Sequence, residues 1–101
     1  MKLYIDTSSN QKTIVRLGDK QMTKTSNVWK SQAVLPMVQS LLKKTKQSLT
    51  DITEIEVNPG PGSYTGLRVG VATANTLGYV LKVPVNGKRV ENLEIVEPIY
   101  E

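Results

Sequence analysis

The stretch NPGPGSYTGLRVG, residues 58–70, places four glycines and two prolines in thirteen positions and leads directly into an apolar segment. Before it, EIEVN (54–58) has alternating apolar residues, which predict a strand. After it, from Ser63 or Thr65 to about Lys82, length and periodicity predict a long helix. The glycine-rich stretch is therefore a loop that joins a strand to a helix.

Glycine loops between a strand and a helix often hold phosphate, because backbone N–H groups and the helix dipole meet the anion there. The P-loop pattern needs a lysine after its last glycine, whereas Gly66 is followed by Leu67. The dinucleotide-binding pattern needs one residue fewer before Gly66. Pro59 and Pro61 also remove two N–H donors. The spacing favours a structural turn, and anion binding stays open as the alternative.

Small residues recur every four positions along the predicted helix, at Gly66, Gly70, Ala74 and Gly78. Each glycine disfavours a helix by roughly 1 kcal/mol relative to alanine. Close approach to another element must compensate for this cost. We expect the helix to approach either the sheet beneath it or another helix.

A second stripe on the same helix is formed by Arg68, Ala72, Asn75 and Tyr79, with spacings of 4, 3 and 4 residues. Apolar residues also spread over much of the helix circumference, which predicts burial on more than one face. Either the first helix of the domain covers this second face, or a helix of another chain does.

The rest of the chain predicts further strands and one more helix. Three antiparallel strands are predicted over KLYID (2–6), TIVRL (13–17) and QMTKTSNVW (21–29). The segment 31–46 has the apolar spacing of a helix, and VPVNGKR (83–89) predicts a short strand that ends in a turn. The order β-β-β-α-β-α-β predicts an α/β domain with a mixed sheet.

The composition limits the function. The 101 residues fit one domain, and they include neither Cys nor His, which excludes disulfides, thiolate zinc sites and a Ser-His-Asp triad. No apolar run suits a signal peptide or a membrane span, so we expect a cytoplasmic protein without a membrane partner. The net charge of +4 includes clusters at Lys43, Lys44, Lys46 and at Lys88 and Arg89. Such clusters are typical of a solvated face or of weak, sequence-independent nucleic-acid binding.

Three segments resemble the bacterial TsaB family, also called YeaZ. GPGSYTGLRVGVATANTLGYVLKVPVNG (60–87) is similar to the family's G-P-G-S-[FY]-T-G-L-R-[IV]-G stretch and the small-residue helix after it. LYIDTSSN (3–10) resembles the family's opening strand and D-T-S turn. KSQAVLPMVQSLL (30–42) resembles its H-S-E-x-L-L-P-x-I segment, with Lys30 in place of the histidine.

The resemblance implies a single domain of the actin, sugar-kinase and Hsp70 type, which is ribonuclease H-like. It implies a non-catalytic subunit, without a metal, that binds a TsaD-like catalytic subunit in the synthesis of N6-threonylcarbamoyladenosine at position 37 of tRNA. The tRNA would then be contacted indirectly, through the complex. The partner interface implied by the family falls on Leu35, Met37, Val38, Gly66, Arg68, Gly70, Ala72, Asn75 and Tyr79. A homodimer through an exposed apolar face is a second arrangement.

Asp6, Thr7 and Ser8 lie where nucleotide-binding relatives of the family hold phosphate. These residue types also bond their own backbone in turns, so a vestigial phosphate loop and a capped hairpin turn both stay open. We expect no cofactor in the isolated chain, with ATP bound only at an interface with a partner. The alternative function is a nucleotide-binding half-domain that self-associates.

The chain departs from the family after the segment that ends at Gly87. A second domain follows there in the family, whereas this sequence continues to IVEPIYE, which resembles the family's closing V-E-P-x-Y tail. We therefore predict an N-terminal domain over residues 1–87 and a tail over residues 88–101.

Overall fold

Four strands form one mixed sheet in the order β3-β2-β1-β4. They are β1 (Lys2–Asp6), β2 (Lys12–Leu17), β3 (Lys20–Thr25) and β4 (Glu54–Val57). The first three strands pair antiparallel, and β4 pairs parallel to β1. The structure is a computed structural model that describes residues 1–9, 11–25, 30–89, 92 and 94–100, with the backbone alone for residues 30–32.

Two long helices cover one face of this sheet. Helix α1 (Lys30–Lys44) packs mainly on β2, and α2 (Tyr64–Leu81) packs on β4 and β1. A short 3-10 turn, Leu49–Asp51, lies between α1 and β4. Neither long helix of the described chain combines the length and apolarity that crossing a membrane requires.

The core lies between the sheet and the two helices. Leu3 pairs with Leu17 and Ile5 pairs with Val15 across β1 and β2, and all four side chains are almost completely buried. Burying a side chain of this size contributes roughly 1.5–3 kcal/mol relative to leaving it exposed. Polar residues alternate with them on the open face of the sheet, so a slip of one residue would expose the core.

Most of the predicted elements are confirmed. The mixed sheet, its first, second and fourth strands and both helices begin and end within two residues of the predicted bounds. Strand β3 ends at Thr25, and residues 26–29 of the predicted third strand lie outside the described residues.

The strand predicted within residues 83–89 is wrong, whereas the turn predicted at its end is present. Among the described residues, this segment forms only isolated bridges, from Val85 to Ile55 and from Val85 to Lys88. The chain then reverses at Asn86 and Gly87, where φ is 49° and 79°, as in the tight turns that Asn-Gly favours.

Candidate functional site

The D-T-S turn after β1 packs against α2. Thr7 is fully buried, and its hydroxyl donates a hydrogen bond to the Gly66 carbonyl. A Cβ at Gly70 would overlap Thr7 Oγ1 and lie 3.2 Å from Thr7 Cβ. The row of small residues predicted that α2 approaches another element closely. At Gly66 and Gly70, that element is the turn that follows β1.

Asp6 and Ser8 bond to each other within that turn. Asp6 Oδ1 accepts hydrogen bonds from the Ser8 amide at 2.9 Å and from Ser8 Oγ at 2.6 Å. Burial raises the pKa of Asp6, but hydrogen bonds from Ser8, Asn58 and Tyr4 outweigh burial, and the net pKa is lowered. The carboxylate is thus ionised near neutral pH and is used by the turn itself.

The glycine loop holds the start of α2 against the same turn. Ser63 caps the helix through its Oγ, which accepts from the Gly66 amide at 3.4 Å, and the Ser63 amide donates to the Ser8 carbonyl at 2.8 Å. A Cβ at Gly62 would overlap the Ser8 carbonyl, and Gly60 has φ of 112° before a cis peptide bond to Pro61. These contacts account for the glycines without a bound anion.

A cavity of about 360 Å³ opens beside the D-T-S turn, at the ends of β1 and β4. Its lining residues are Tyr4, Glu56, Val57, Asn58, Pro59 and Asn86. The charged residue of this lining is Glu56, which is ion-paired with Lys2, and the lining itself supplies neither lysine nor arginine for a nucleotide phosphate. No three Asp, Glu, His or Cys side chains among the described residues come together as metal ligands.

Helix α2 has an exposed face opposite its buried one. Gly66, Leu67, Gly70, Val71, Ala74 and Gly78 face the core. On the other side Arg68 and Ala72 are exposed, and Tyr79 and Val80 are 61% and 66% exposed. A groove of about 440 Å³ follows this face along Thr65, Arg68, Val69, Ala72 and Thr73.

Arg68 is the one charged residue in α2, and it lies beside a pair of tyrosines that contact each other. Its guanidinium lies 5.4 Å from the centre of the Tyr64 ring and donates to the Tyr64 hydroxyl at 3.5 Å. The Tyr64 ring in turn packs on Tyr100, with ring centres 4.5 Å apart. The cation is therefore held at one end of the groove by an aromatic surface.

The C-terminal segment 94–100 lies along α2. Asn75 donates to the Val96 carbonyl at 2.9 Å and accepts from the Val96 amide at 3.2 Å. Val96 is buried in the core cluster that contains Val71, and the Ile99 amide donates to the Pro59 carbonyl at 2.6 Å. Sequence reasoning missed this contact, for which the apolar pair Ile95 and Val96, between Glu94 and Glu97, was the local signal.

The structure brings only part of the predicted partner interface together on one surface. Arg68, Ala72 and Tyr79 are exposed on α2, Leu35 is exposed on α1, and Asn75 is half-buried by its bonds to the tail.

Four of the predicted interface residues must be corrected, because this chain buries them itself. Met37 and Val38 are each 1% exposed, since they lie on the core side of α1. Gly66 and Gly70 face the core, where both contact Thr7.

A mixed four-stranded sheet with both long helices on one face defines this chain as an α/β domain of the actin-like class. The family model described as "TsaD: tRNA N6-adenosine threonylcarbamoyltransferase" matches residues 29–95. The chain belongs to this family.

Known relatives agree with the resemblance to TsaB and YeaZ. The chain is 35% identical over 82 residues to the tRNA threonylcarbamoyladenosine biosynthesis protein TsaB of Bacillus subtilis, covering 70% of this chain and 35% of the relative. It is 42% identical over 57 residues to TsaB of Escherichia coli, covering 56% of this chain and 25% of the relative. YeaZ from Pseudomonas aeruginosa superposes with a TM-score of 0.72 at 26% identity, over 83% of this chain and 41% of that one. The chain thus spans less than half the length of these relatives.

Proposed function

We propose that this chain is a non-catalytic subunit in tRNA threonylcarbamoyladenosine biosynthesis, and that it binds a TsaD-like catalytic subunit through the exposed face of α2. The observation that carries the proposal is an 18-residue helix that buries one face in the core and exposes Ala72, Tyr79 and Val80 on the opposite face, where Arg68 is the helix's one charged residue. The names of the TsaB relatives support the process, and the family match supports a TsaD-like partner.

The exposed face of α2 has the physical properties of a helix-packing surface. Exposed Ala72 lets a second helix approach closely, and Tyr79 and Val80 offer apolar area beside it. Arg68 is held in place by Tyr64, so little side-chain entropy is lost when it meets a partner. The matching partner surface is an apolar helix with an acidic residue opposite Arg68.

The contacts of the D-T-S turn support a role without catalysis. Thr7 has its hydroxyl bonded inside the chain, and Asp6 and Ser8 bond to each other. The lining of the neighbouring cavity supplies neither lysine nor arginine for a phosphate, and its one charged residue, Glu56, is paired with Lys2. The alternative, a self-associating nucleotide-binding half-domain, has no support from these contacts.

Light scattering of the chain alone, and mixed with the TsaD-like protein of the same genome, tests this proposal. We expect a one-to-one complex that Ala72→Arg abolishes, because the new side chain would fill the groove and place a second cation beside Arg68. Thr23→Arg is the matched control, since it adds the same charge at an exposed position on β3.

The proposal fails if the wild-type chain forms no complex, or if Ala72→Arg binds as well as Thr23→Arg. A stable homodimer that Ala72→Arg splits, with no mixed complex, would replace the catalytic partner with a second copy of this chain. Far-ultraviolet circular dichroism must show the same helical signal for both variants, so that lost binding is not lost folding.

A further inference from the structure

Lysines of β3 and of the last turn of α1 come together at one corner of the domain. We call this surface the basic corner. It consists of Lys20 and Lys44, which line one cavity, and of Lys43 and Lys46, which neighbour Lys44 in sequence, and all four are exposed. These are four of the 13 lysines and arginines in the chain. The second lysine cluster of the sequence, near Arg89, is not part of it.

The strand register explains why the lysines of β3 stand beside α1. Lys20 pairs with Leu17, and Lys24 pairs with Thr13. Leu17 and Thr13 are buried on the face that carries the helices, so their partners point to the same face. Because β3 is the edge strand and α1 lies mainly on β2, these two lysines flank the helix and remain in solvent.

A cavity of about 320 Å³ separates β3 from the last turns of α1. Its lining residues are Lys20, Gln21, Met22, Leu41, Lys44 and Thr45. Met22 and Leu41 give it an apolar wall, and Lys20 and Lys44 bring an ammonium group from each side. The surface therefore combines two cations with apolar area between them.

Glu54 and Glu56 pair with Lys2 on the open face of the sheet, so these two carboxylates do not neutralise the basic corner. Lysines at a helix C-terminus interact favourably with the helix dipole, and lysines on an edge strand prevent it from pairing with the strands of other molecules. Neither effect explains why a lysine of β3 and a lysine of α1 line the same cavity, which also has an apolar wall.

We propose that the basic corner binds the phosphate backbone of RNA. Lys20 and Lys44 contact phosphates, and a sugar or base lies against Met22. A polynucleotide offers this alternation of anionic and less polar groups, and lysine contacts to phosphate carry no sequence preference. The choice of RNA over an acidic protein rests on the proposed function, which brings a tRNA to the same complex.

Fluorescence anisotropy with a labelled, unmodified tRNA transcript tests the proposal on the chain alone, over a series of salt concentrations. We expect weak binding whose logarithm falls linearly with the logarithm of salt concentration. The double variant Lys20→Gln/Lys44→Gln should bind more weakly, and its slope should be smaller by about 1.4–1.8, which is roughly 0.7–0.9 for each of two lost contacts.

The double variant Lys82→Gln/Lys88→Gln is the matched control, because it removes the same charge from exposed positions outside the basic corner. It should keep the wild-type slope. Equal losses in both double variants would assign the binding to net charge and overturn the proposal, as would absence of RNA binding at low salt.

Two further outcomes would also overturn it. Poly-L-glutamate that binds as tightly as tRNA, with the same dependence on Lys20 and Lys44, would assign the surface to an acidic protein. Self-association of Lys20→Gln/Lys44→Gln with unchanged RNA affinity would assign the lysines to protection of the sheet edge. Both double variants should still form the complex with the TsaD-like protein, so failure of that complex is distinguishable from failure of RNA binding.

Discussion

Gly70 gives the most direct test of how α2 packs on the sheet. Helix propensity alone predicts that Gly70→Ala stabilises the protein by roughly 1 kcal/mol. The new Cβ would overlap Thr7 Oγ1, whose hydrogen bond to Gly66 must then break unless the helix moves. Overpacking costs about 1–3 kcal/mol, and an unmade buried hydrogen bond costs about 1–3 kcal/mol. We therefore expect net destabilisation of roughly 1–5 kcal/mol.

Urea unfolding followed by circular dichroism measures this effect in a double-mutant cycle with Thr7→Ala. Once the Thr7 hydroxyl is gone, Gly70→Ala should cost at least about 1 kcal/mol less than it does in the wild type. Thr76→Ala, at an exposed position on the same helix, should stay within about 0.5 kcal/mol of the wild type. A higher unfolding free energy for Gly70→Ala than for the wild type would refute the close approach of Thr7 to α2.

Three further predictions follow from the local contacts. Asn75→Ala removes two hydrogen bonds to Val96, so it should destabilise the fold by about 1–2 kcal/mol and speed hydrogen exchange at the Val96 amide; unchanged exchange would contradict the tail contact. The pKa of Asp6 is lowered in the folded state, so its stabilising effect is complete above the unfolded pKa of about 3.9 and is lost as pH falls through the lower folded pKa. Asp6→Asn should therefore weaken the loss of unfolding free energy between neutral and acidic pH. The same loss in the variant and the wild type would contradict the hydrogen bonding of Asp6 within the turn. Asn86→Ala and Asn86→Gly both lose the side-chain bonds to Val57, but only alanine is strained at φ of 49°, so Asn86→Ala should cost about 1–2 kcal/mol more than Asn86→Gly, and equal melting temperatures would contradict this.

The sequence predicted the elements whose side chains alternate between core and solvent. In β1 and in both helices, burial of one face places apolar residues at the period of the backbone, and that period is visible without the structure. The segment after α2 was wrongly predicted as a strand because its apolar residues Val83 and Val85 also have the two-residue spacing of a strand. Pro84 between them has no N–H to give to a neighbouring strand, and Val85 forms one bridge to β4, at Ile55.

The partners of the site residues could not be predicted in the same way. The row of small residues required a close neighbour, but Thr7 lies 59 residues from Gly66 in sequence and carries no periodic signal. The helical spacing correctly placed Asn75 on the same side of α2 as the predicted partner stripe. Its side chain, however, bonds to Val96, 21 residues later in the sequence, and is therefore half-buried by this chain itself. Periodicity identifies a helix face, whereas the identity of what covers it depends on long-range contacts.

The same limitation explains the errors on α1. Leu35 is 46% exposed, whereas Met37 and Val38, two and three residues later, are each 1% exposed. A helix turns by about 100° per residue, so neighbours within one family motif point in quite different directions. The motif identifies the segment, and only the packed structure separates its core residues from the one available to a partner.

The sheet order also separates the two proposed surfaces. Helix α2 lies over β1 and β4, whereas the basic corner is formed by β3, at the opposite edge, and by the end of α1. A protein bound along Arg68 and Ala72 would therefore leave Lys20 and Lys44 accessible. Because the two surfaces share no residues, this small domain has room to hold a protein at one side while it contacts an RNA backbone at the other.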